Sequence, residues 1–588
     1  MTRVASVALL AALGAVLFTP AQAQDKQKEA YERDLIADSL ATAGLQPDPH
    51  PQGKTIERVL IIRHPIVNKR DPWPDFVNIF HVTTREHIVR QELLFEAGQA
   101  YDEELVRESA RNLRSLPLLF STVRIVTAQG SQPDRIVVVV ITKDLWSIRL
   151  NMNGNFGGGV FNYFYLTPSE MNFLGYNQQL SLHFFIDRTV YALGEIYRVP
   201  RLFGSRLAFS EFLALRVNQE TGEVEGGFGE IILERPLFSL STEWSYSFSA
   251  AFDVGIARIY SGADLYYVGI PADEPFYLLP EMYTRESVSA QAVVRRSFGQ
   301  LYKTNLLAGY RIHSRTYGLT GGFRPLPDWV KQEFLDRVVP LDDQAGSLIS
   351  TAHFYEATFH RFQNVQTLGL TEDFRFGPEA LCEVAWANPA LGFAQNSVRL
   401  RLALGWRFLF YKNILWLKAD VSARYRPNHQ LVDADTDWVD QYAEFYLENA
   451  APLPYNLGRA FFRFRYVYTQ YSQSRTRLYL GGNNTLRGFL SDYTAGPRLL
   501  NFNIEYRSPP WVFKTLHLGF VVFYDAGDAY GFTKDTDFTY HQALGIGIRG
   551  LFPQFDRGVL RVDIGIPLGQ DFHTHVIDWV TIAFLQAF

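Results

Sequence analysis

The chain has 588 residues, a formal net charge of -5 at pH 7 and a single cysteine. This length is too great for one ordinary soluble core. The nearly balanced charge excludes a dedicated nucleic-acid binder, and the lone cysteine excludes an intramolecular disulfide and a thiolate metal cluster. Phe, Tyr and Trp make up 15% of the residues, which is unusually high.

The N-terminal residues 1–23 have the pattern of a secretory signal peptide. Arg3 gives a positive start, VASVALLAALGAVLF follows as the apolar stretch, and residues 21–23 form an A-x-A cleavage site. We therefore expect the mature chain to begin at Gln24, without a lipid anchor. No later apolar run approaches the ~20 residues that a spanning helix needs. The exported chain is therefore either soluble or a transmembrane β-barrel.

The next part of the chain predicts a helix and linker, then a small α/β domain. Residues 24–55 are polar and contain three prolines. Over residues 56–146 the patterns follow one another in the order β-α-α-β-β. Thr83, with Glu86 three residues later, predicts a capping box at the start of the first helix of this domain.

From residue 147 onward, period-2 alternation replaces helical periodicity. The segments RAFFRFRYVYTQ (459–470), LNFNIEYR (500–507) and LRVDIGI (560–566) each alternate apolar and polar positions. A soluble sandwich would bury the apolar face, whereas a transmembrane barrel turns it toward lipid and keeps polar side chains around a wet interior. The many aromatic residues and the mixed charges on the polar face favour the barrel. Roughly 28 residues per strand and loop predict an all-β barrel of about 16 antiparallel strands.

The stretch YLGGNNTLRGF (479–489) resembles the loop signature of the BamA/TamA-like outer-membrane protein assembly and secretion superfamily, or bacterial surface antigen family. NIEYRSP (503–509), FYDAG (523–527) and LRVDIGIPLG (560–569) resemble later strands of that family, in the same order. The α/β unit resembles one polypeptide-transport-associated (POTRA) domain. After the signal peptide predicted at 1–23, the resemblance implies a periplasmic helix and linker at 24–55, a POTRA-like domain at 56–146 and a transmembrane barrel at 147–588.

The resemblance also implies a latch at the tip of a loop that folds into the barrel. Its residues are Arg487, Gly488 and Phe489, where the glycine permits close approach to the wall and the phenylalanine packs against it. The turn glycines that accompany it are Gly481, Gly482 and Gly527.

The expected partners of Arg487 are carboxylates on the inner face of the wall. Alternation puts Glu505, Asp525 and Asp563 on that face, and the family pairing selects Asp525, with Glu505 near it. A bidentate Arg–carboxylate pair is directional and charge-assisted, so a lysine would not replace the arginine. The C-terminal barrel signal is expected at Phe584 and Phe588, although Gln586 stands where the family prefers an aromatic residue.

By resemblance, the chain inserts or translocates polypeptides at the bacterial outer membrane, with its N-terminal domain in the periplasm. Two alternatives stay open: a two-partner-secretion transporter for a dedicated client, and a passive channel or receptor. Expected partners are outer-membrane lipids and unfolded client polypeptides or a periplasmic partner protein, with no nucleic acid, and the barrel is expected to be monomeric. No serine-hydrolase elbow, zinc-protease motif or phosphate loop occurs, so we expect no enzyme activity, no cofactor and no metal.

Overall fold

The computed structural model describes most of the chain. The described residues are 21–67, 78, 81–115, 119–238, 242–270, 276–393, 395–431, 434–483, 486–513, 516–531, 538–552, 558–572 and 575–587. The signal-peptide prediction falls largely on residues 1–20, which lie outside the described residues, as does Phe588. Among the described helices, none is long and apolar enough to cross a membrane.

The N-terminal region holds a small α/β unit. Its central strand β3 is parallel to β1 and antiparallel to β2, and it is buried on both faces because α2 and α3 cover one face and α1 covers the other. The predicted capping box is wrong, since α2 has Arg85 at its N-cap and no side chain bonds there. In chain order the elements are α1 (Ala21–Thr42), β1 (Thr55–His64), α2 (Glu86–Gln91), α3 (Glu103–Ser115), β2 (Phe120–Gln129) and β3 (Arg135–Asp144).

Within the described residues, twenty antiparallel strands close into a barrel, with the last strand paired to the first. They are β4 (Ile148–Gly157), β5 (Val160–Glu170), β6 (Gln179–Asp187), β7 (Val190–Val199), β8 (Ala208–Asn218), β9 (Val224–Arg235), β10 (Trp244–Arg258), β11 (Met282–Phe298), β12 (Tyr302–Gly318), β13 (Asp343–Glu356), β14 (Thr371–Ala387), β15 (Ser397–Phe410), β16 (Asn413–Tyr425), β17 (Trp438–Pro452), β18 (Arg459–Gln470), β19 (Arg498–Arg507), β20 (His517–Tyr530), β21 (His541–Leu551), β22 (Leu560–Pro567) and β23 (Val580–Phe584).

The prediction of about 16 strands is therefore wrong. It assumed that every strand and its connection use roughly 28 residues. Several connections are instead tight turns of two residues, such as 158–159 between β4 and β5 and 411–412 between β15 and β16. These short turns leave enough chain for four further strands.

Strand β21 shows how the barrel directs its side chains. Leu544, Ile546 and Ile548 point outward and are 50%, 61% and 61% exposed, whereas Arg549 on the opposite face is 1% exposed. A soluble protein would reverse this arrangement and expose the arginine. Apolar side chains outside and charged side chains inside match a barrel that is surrounded by lipid.

Replacing Ile546 by lysine tests whether this outer face meets lipid. We expect Ile546→Lys to lower the free energy of unfolding by about 2–4 kcal/mol in bilayers, because a lysine on the lipid face near the midplane is costly. Unfolding in urea, followed in lipid vesicles, measures the change. Ile577→Lys is the control, since Ile577 is also 61% exposed but lies in a loop. Equal effects of the two substitutions would contradict a lipid-facing Ile546.

The loops differ between the two ends of the barrel. At the end away from the α/β unit, the loops before β11 and β13 pack together through Ile270, Phe323 and Phe334 of one apolar cluster. The second of these loops contains helix α4 (Asp328–Arg337). The long loop 471–497, here called the lumen loop, starts from the same end.

At the other end, the α/β unit contacts the barrel turns directly. The backbone N–H of Arg85 donates to the carbonyl of Gly175 at 3.0 Å, and Arg201 forms a two-pronged ion pair with Glu92 of the α/β unit. Asn172 donates to the carbonyl of Val82 at 3.1 Å. The α/β unit is therefore fixed beneath the barrel mouth.

A two-stranded ribbon folds across this mouth. Strand β13 continues as Thr358–Gln363 and pairs with the first residues of β14. We call residues 358–376 the mouth ribbon. It packs through Phe374 and Phe376 on the inner wall residue Phe461, and its tip reaches the far wall, where His517 Nδ1 lies 2.6 Å from the carbonyl of Leu368. The mouth is thus partly closed from inside.

Candidate functional site

The lumen loop turns back into the barrel. Its two sides pair as short strands, Leu478–Leu480 with Thr494–Gly496. The N–H of Gly482 donates to the carbonyl of Phe489 at 3.1 Å, which closes the tip. Leu486 and Phe489 are buried in an apolar cluster with wall residues of β18 and β21. The two apolar residues beside Arg487 therefore pack the tip against the wall.

Gly481 and Gly527 allow close approach of backbone segments. The prediction that Gly527 marks a turn is wrong, because it lies within β20 and pairs with Asn501. A Cβ on Gly481 would lie 2.3 Å from the carbonyl oxygen of Leu490 on the returning side of the loop. A Cβ on Gly527 would lie 2.3 Å from the carbonyl oxygen of Leu500 and 3.0 Å from a methyl group of Leu480. A larger residue at Gly481 would push apart the two sides of the loop, and one at Gly527 would clash with β19 and with Leu480 of the loop.

Arg487 is fully buried and meets three carboxylates. Its Nε and Nη2 donate to the two oxygens of Asp525 at 2.7 and 3.0 Å, and its backbone N–H donates to the same carboxylate at 3.2 Å. Nη1 donates to Glu505 at 2.7 Å and to Asp563 at 3.2 Å. The guanidinium also lies 3.5 Å from the ring centroid of Phe523, within cation–π range. The structure thus brings together one loop cation and three strands of the wall.

Further buried arginines balance these carboxylates. Arg507 donates to Glu505 at 2.6 Å, Arg549 donates to Asp563 at 2.5 Å, and Arg561 donates to Asp563 at 3.2 Å. These three arginines are not among the predicted site residues. Alternation could have found them, because Arg507 and Arg561 lie two residues from Glu505 and Asp563, and Arg549 alternates with Leu544, Ile546 and Ile548.

Gly488 lies against the backbone of β22. Its φ is +93°, a conformation that favours glycine, and a Cβ there would lie 2.5 Å from the carbonyl oxygen of Gly565. Gly565 is the reciprocal case, with its own Cβ position 2.8 Å from the carbonyl group of Arg487. Two glycines facing each other let the loop backbone touch the wall.

The lumen loop also holds the first hairpin of the barrel. Ser491 Oγ donates to the carbonyl of Gly157 at 3.0 Å and accepts from Asn162 Nδ2 at 2.7 Å. Gly157 is the last residue of β4, and Asn162 lies in β5. The same loop therefore fastens the last strands through Arg487 and the first strands through Ser491.

The contact between the last and first strands, here called the seam, is short. Three residue pairs join β23 to β4, whereas fifteen join β10 to β11. Phe584 ends β23, and Gln586 just beyond it accepts a hydrogen bond from Arg549 Nε at 3.1 Å. The residue that departs from the family preference thus contributes to the buried network. In the part of the chain that the structure describes, no group of His, Cys, Asp or Glu is arranged to hold a metal.

A line of polar contacts joins the lumen loop to the mouth ribbon. Glu505 binds Arg487 of the loop through one oxygen and Arg507 through the other. Arg507 Nη1 then donates to the carbonyl of Val365 in the ribbon at 2.7 Å. All four residues are buried.

Comparison with known families identifies this part of the barrel. The family model described as "Omp85 superfamily domain" matches residues 416–574, which include Arg487 and all three of its carboxylate partners. Residues 416–574 are therefore similar to an Omp85 superfamily domain. This confirms the resemblance that the motifs indicate. The search of curated proteins gives no match.

Solved structures similar to this chain include three of low sequence identity. BamA from Haemophilus ducreyi, in a structure lacking POTRA domains 1–3, is 11% identical, with 90% of this chain and 84% of that chain covered and a TM-score of 0.39. CdiB from Escherichia coli is 10% identical, with 91% and 76% covered and a TM-score of 0.39. CdiB from Acinetobacter baumannii is 12% identical, with 90% and 74% covered and a TM-score of 0.36.

Proposed function

We propose that this Omp85-type barrel inserts or translocates other polypeptides at the bacterial outer membrane. In this proposal residues 1–23 direct export, and residues 56–146 act in the periplasm as a POTRA-like domain that meets unfolded clients or a partner protein. The barrel works as a monomer in outer-membrane lipid. The reaction needs no catalytic group, because folding of the client and its burial in lipid supply the free energy.

The observation that carries the proposal is the short seam. The three residue pairs between β23 and β4 hold only a few backbone hydrogen bonds, each contributing about 1 kcal/mol net. Opening them exposes two strand edges, which are templates for an incoming strand. A long, fully paired contact such as that between β10 and β11 would open at far greater cost.

We infer that the lumen loop is the latch that keeps this weak contact closed. Arg487 holds β22 through Asp563, and Ser491 holds β4 through the carbonyl of Gly157. Both sides of the seam are thereby tied to one loop inside the barrel.

A disulfide across the seam tests the function. Asn155 and Ala583 face each other in the two strands, so cysteines at both places lie at a distance that a disulfide can bridge. Cys382, which is exposed, is first replaced by alanine. The matched control is Ala250→Cys with Ala290→Cys, a directly paired position within the wall. Insertion of an unfolded client barrel into liposomes is measured before and after reduction.

We expect the seam disulfide to abolish client insertion and reduction to restore it, while the wall disulfide has no effect. Full activity of the oxidised seam variant would contradict insertion at the seam. In that case, export of a soluble client through the locked barrel would indicate a secretion transporter, and ion conductance without client movement would indicate a channel.

A further inference from the structure

A large cavity lies between the α/β unit and the mouth of the barrel. Its volume is about 1430 Å³. The α/β unit contributes Arg114 at the end of α3 and residues 120–124 of β2. The barrel contributes residues 360–364 of the mouth ribbon and several turns, including Lys412. We call this cavity the vestibule.

The vestibule is strongly basic. One carboxylate lines it, Glu32, and that group is already paired with Arg124. Burial lowers the pKa of the Arg114 guanidinium, and the nearby charges of Arg124, Arg111 and Arg361 lower it further. Such crowding of like charges favours an anionic occupant. Six basic side chains line the vestibule, namely Arg114, Arg124, Arg361, Lys412, Arg459 and Arg507. Three of them have carboxylate partners, Arg124 in Glu32, Arg361 in Asp373 and Arg507 in Glu505, so the positive excess rests mainly on Arg114, Lys412 and Arg459.

Two open strand edges also line the vestibule. Strand β2 is at the edge of its sheet, and the N-terminal segment 46–48 pairs only with the end of β2, through Thr127 and Gln129. The ribbon strand Thr358–Gln363 pairs with β14 on one side. On its other side it has no strand partner that the structure describes, because the pairing of β13 with β12 stops at Glu356, opposite Tyr302, the first residue of β12. Within the described residues, both edges present backbone N–H and C=O groups that an extended chain can bind.

The barrel residues of the vestibule face the barrel interior, so an occupant must enter from the aqueous side. Arg459 and Arg507 project from the same inner face of the barrel as Phe461 and Glu505, opposite to the face that meets lipid. An acyl chain cannot reach this face without leaving the bilayer. A linear polypeptide in the periplasm has no such barrier.

We propose that the vestibule binds an extended polypeptide segment rich in Asp and Glu, on its way to the barrel. The proposal rests on the proposed function and names the kind of client segment that this function would take. The open edges bind the backbone of the segment, whatever its sequence. The basic side chains select for carboxylates, so affinity depends on the charge of the client and falls with salt.

The test uses the full-length protein in nanodiscs of zwitterionic phosphatidylcholine. The probe is a labelled peptide of about ten residues, the length of one barrel strand, that alternates Asp with Thr. Its neutral counterpart carries Asn in place of Asp. Binding is measured by fluorescence anisotropy at low and high salt.

The variant is Arg361→Glu with Lys412→Glu. Arg361 is 82% exposed and Lys412 lies in a two-residue turn, so neither substitution disturbs the packed wall. The control is Arg90→Glu with Arg107→Glu, which makes the same change of charge on exposed faces of α2 and α3. Both proteins are first checked for folding by their migration on unheated gels.

We expect the parent and the control to bind the acidic peptide about tenfold more tightly than the neutral one, and the Arg361 and Lys412 variant to lose this preference. Equal binding of the two peptides by the parent, or unchanged preference in the variant, would overturn the proposal. So would loss of binding of the neutral peptide in nanodiscs that contain phosphatidylglycerol, because charge repulsion does not explain that loss and the vestibule would then be a lipid site.

These results separate the two proposals. Peptide binding does not require the seam to open. Equal binding of the acidic and neutral peptides by the parent, with client insertion still blocked by the seam disulfide, would refute the vestibule proposal alone. Retained preference in a barrel that inserts clients with its seam locked would refute the proposed function alone.

Discussion

Arg487→Ala is expected to lower the free energy of unfolding by about 3–5 kcal/mol, because it removes one partner from a buried ionic network. Asp525 would lose the two hydrogen bonds donated by the guanidinium, and Glu505 and Asp563 would each lose their contact with the loop. Arg487→Lys keeps the charge but cannot reproduce the forked contact with Asp525, so we expect an intermediate loss. The measurement is the urea midpoint at which the compact, fast-migrating form disappears from unheated gels.

The control for this prediction is Arg465→Ala. Arg465 also lies on the inner wall and binds Glu444 at 2.8 Å, but its side chain is 40% exposed. A partly solvated pair of this kind contributes at most about 1 kcal/mol. If Arg487→Ala and Arg465→Ala shift the midpoint equally, and the Arg487 variant still inserts clients at the parent rate, the loop contact is not a latch.

Gly488→Ala is expected to cost about 2–4 kcal/mol while leaving every charge of the network in place. The new Cβ would overlap the backbone of Gly565, which cannot move without breaking the pairing of β22. The loop tip must therefore withdraw, and the contacts of Arg487 lengthen. The same gel assay measures stability, and proteolysis of the lumen loop reports its withdrawal.

Gly531→Ala separates backbone strain from the clash. Gly531 has a φ of +92°, almost identical to that of Gly488, but the nearest atoms to its Cβ position are 3.8 Å away. We expect a smaller loss there, from the left-handed conformation alone. Equal losses in the two variants would show that close contact with β22 is unimportant.

Alternation carried most of the information that the sequence held about the barrel. It determines the direction of each side chain, and Glu505, Asp525 and Asp563 lie on the inner face. It carries little information about strand number, because number depends on turn length, and Tyr411 and Lys412 form a turn without the glycine that usually marks one. This is why the predicted count was too low.

The mouth ribbon could not be predicted for a different reason. Thr358–Gln363 has a strand pattern like that of the wall strands. It departs from the wall because β12, its neighbour in the barrel, begins only at Tyr302, opposite Glu356. That end point is a property of pairing between distant segments. Likewise, the contact of Arg507 with Val365 joins residues far apart in the chain, so no local sequence pattern predicts it.

The double role of Glu505 makes the two ends of the barrel thermodynamically dependent on each other. One of its oxygens accepts a hydrogen bond from Arg487 of the loop. The other accepts from Arg507, which also donates to the ribbon. Withdrawing the loop removes one of the three arginines that surround this carboxylate and so alters how firmly Arg507 is held. By linkage, displacing the ribbon changes the affinity of the loop for the wall by the same factor. Displacing the ribbon at one end of the barrel would thereby loosen the contact of the loop at the other end.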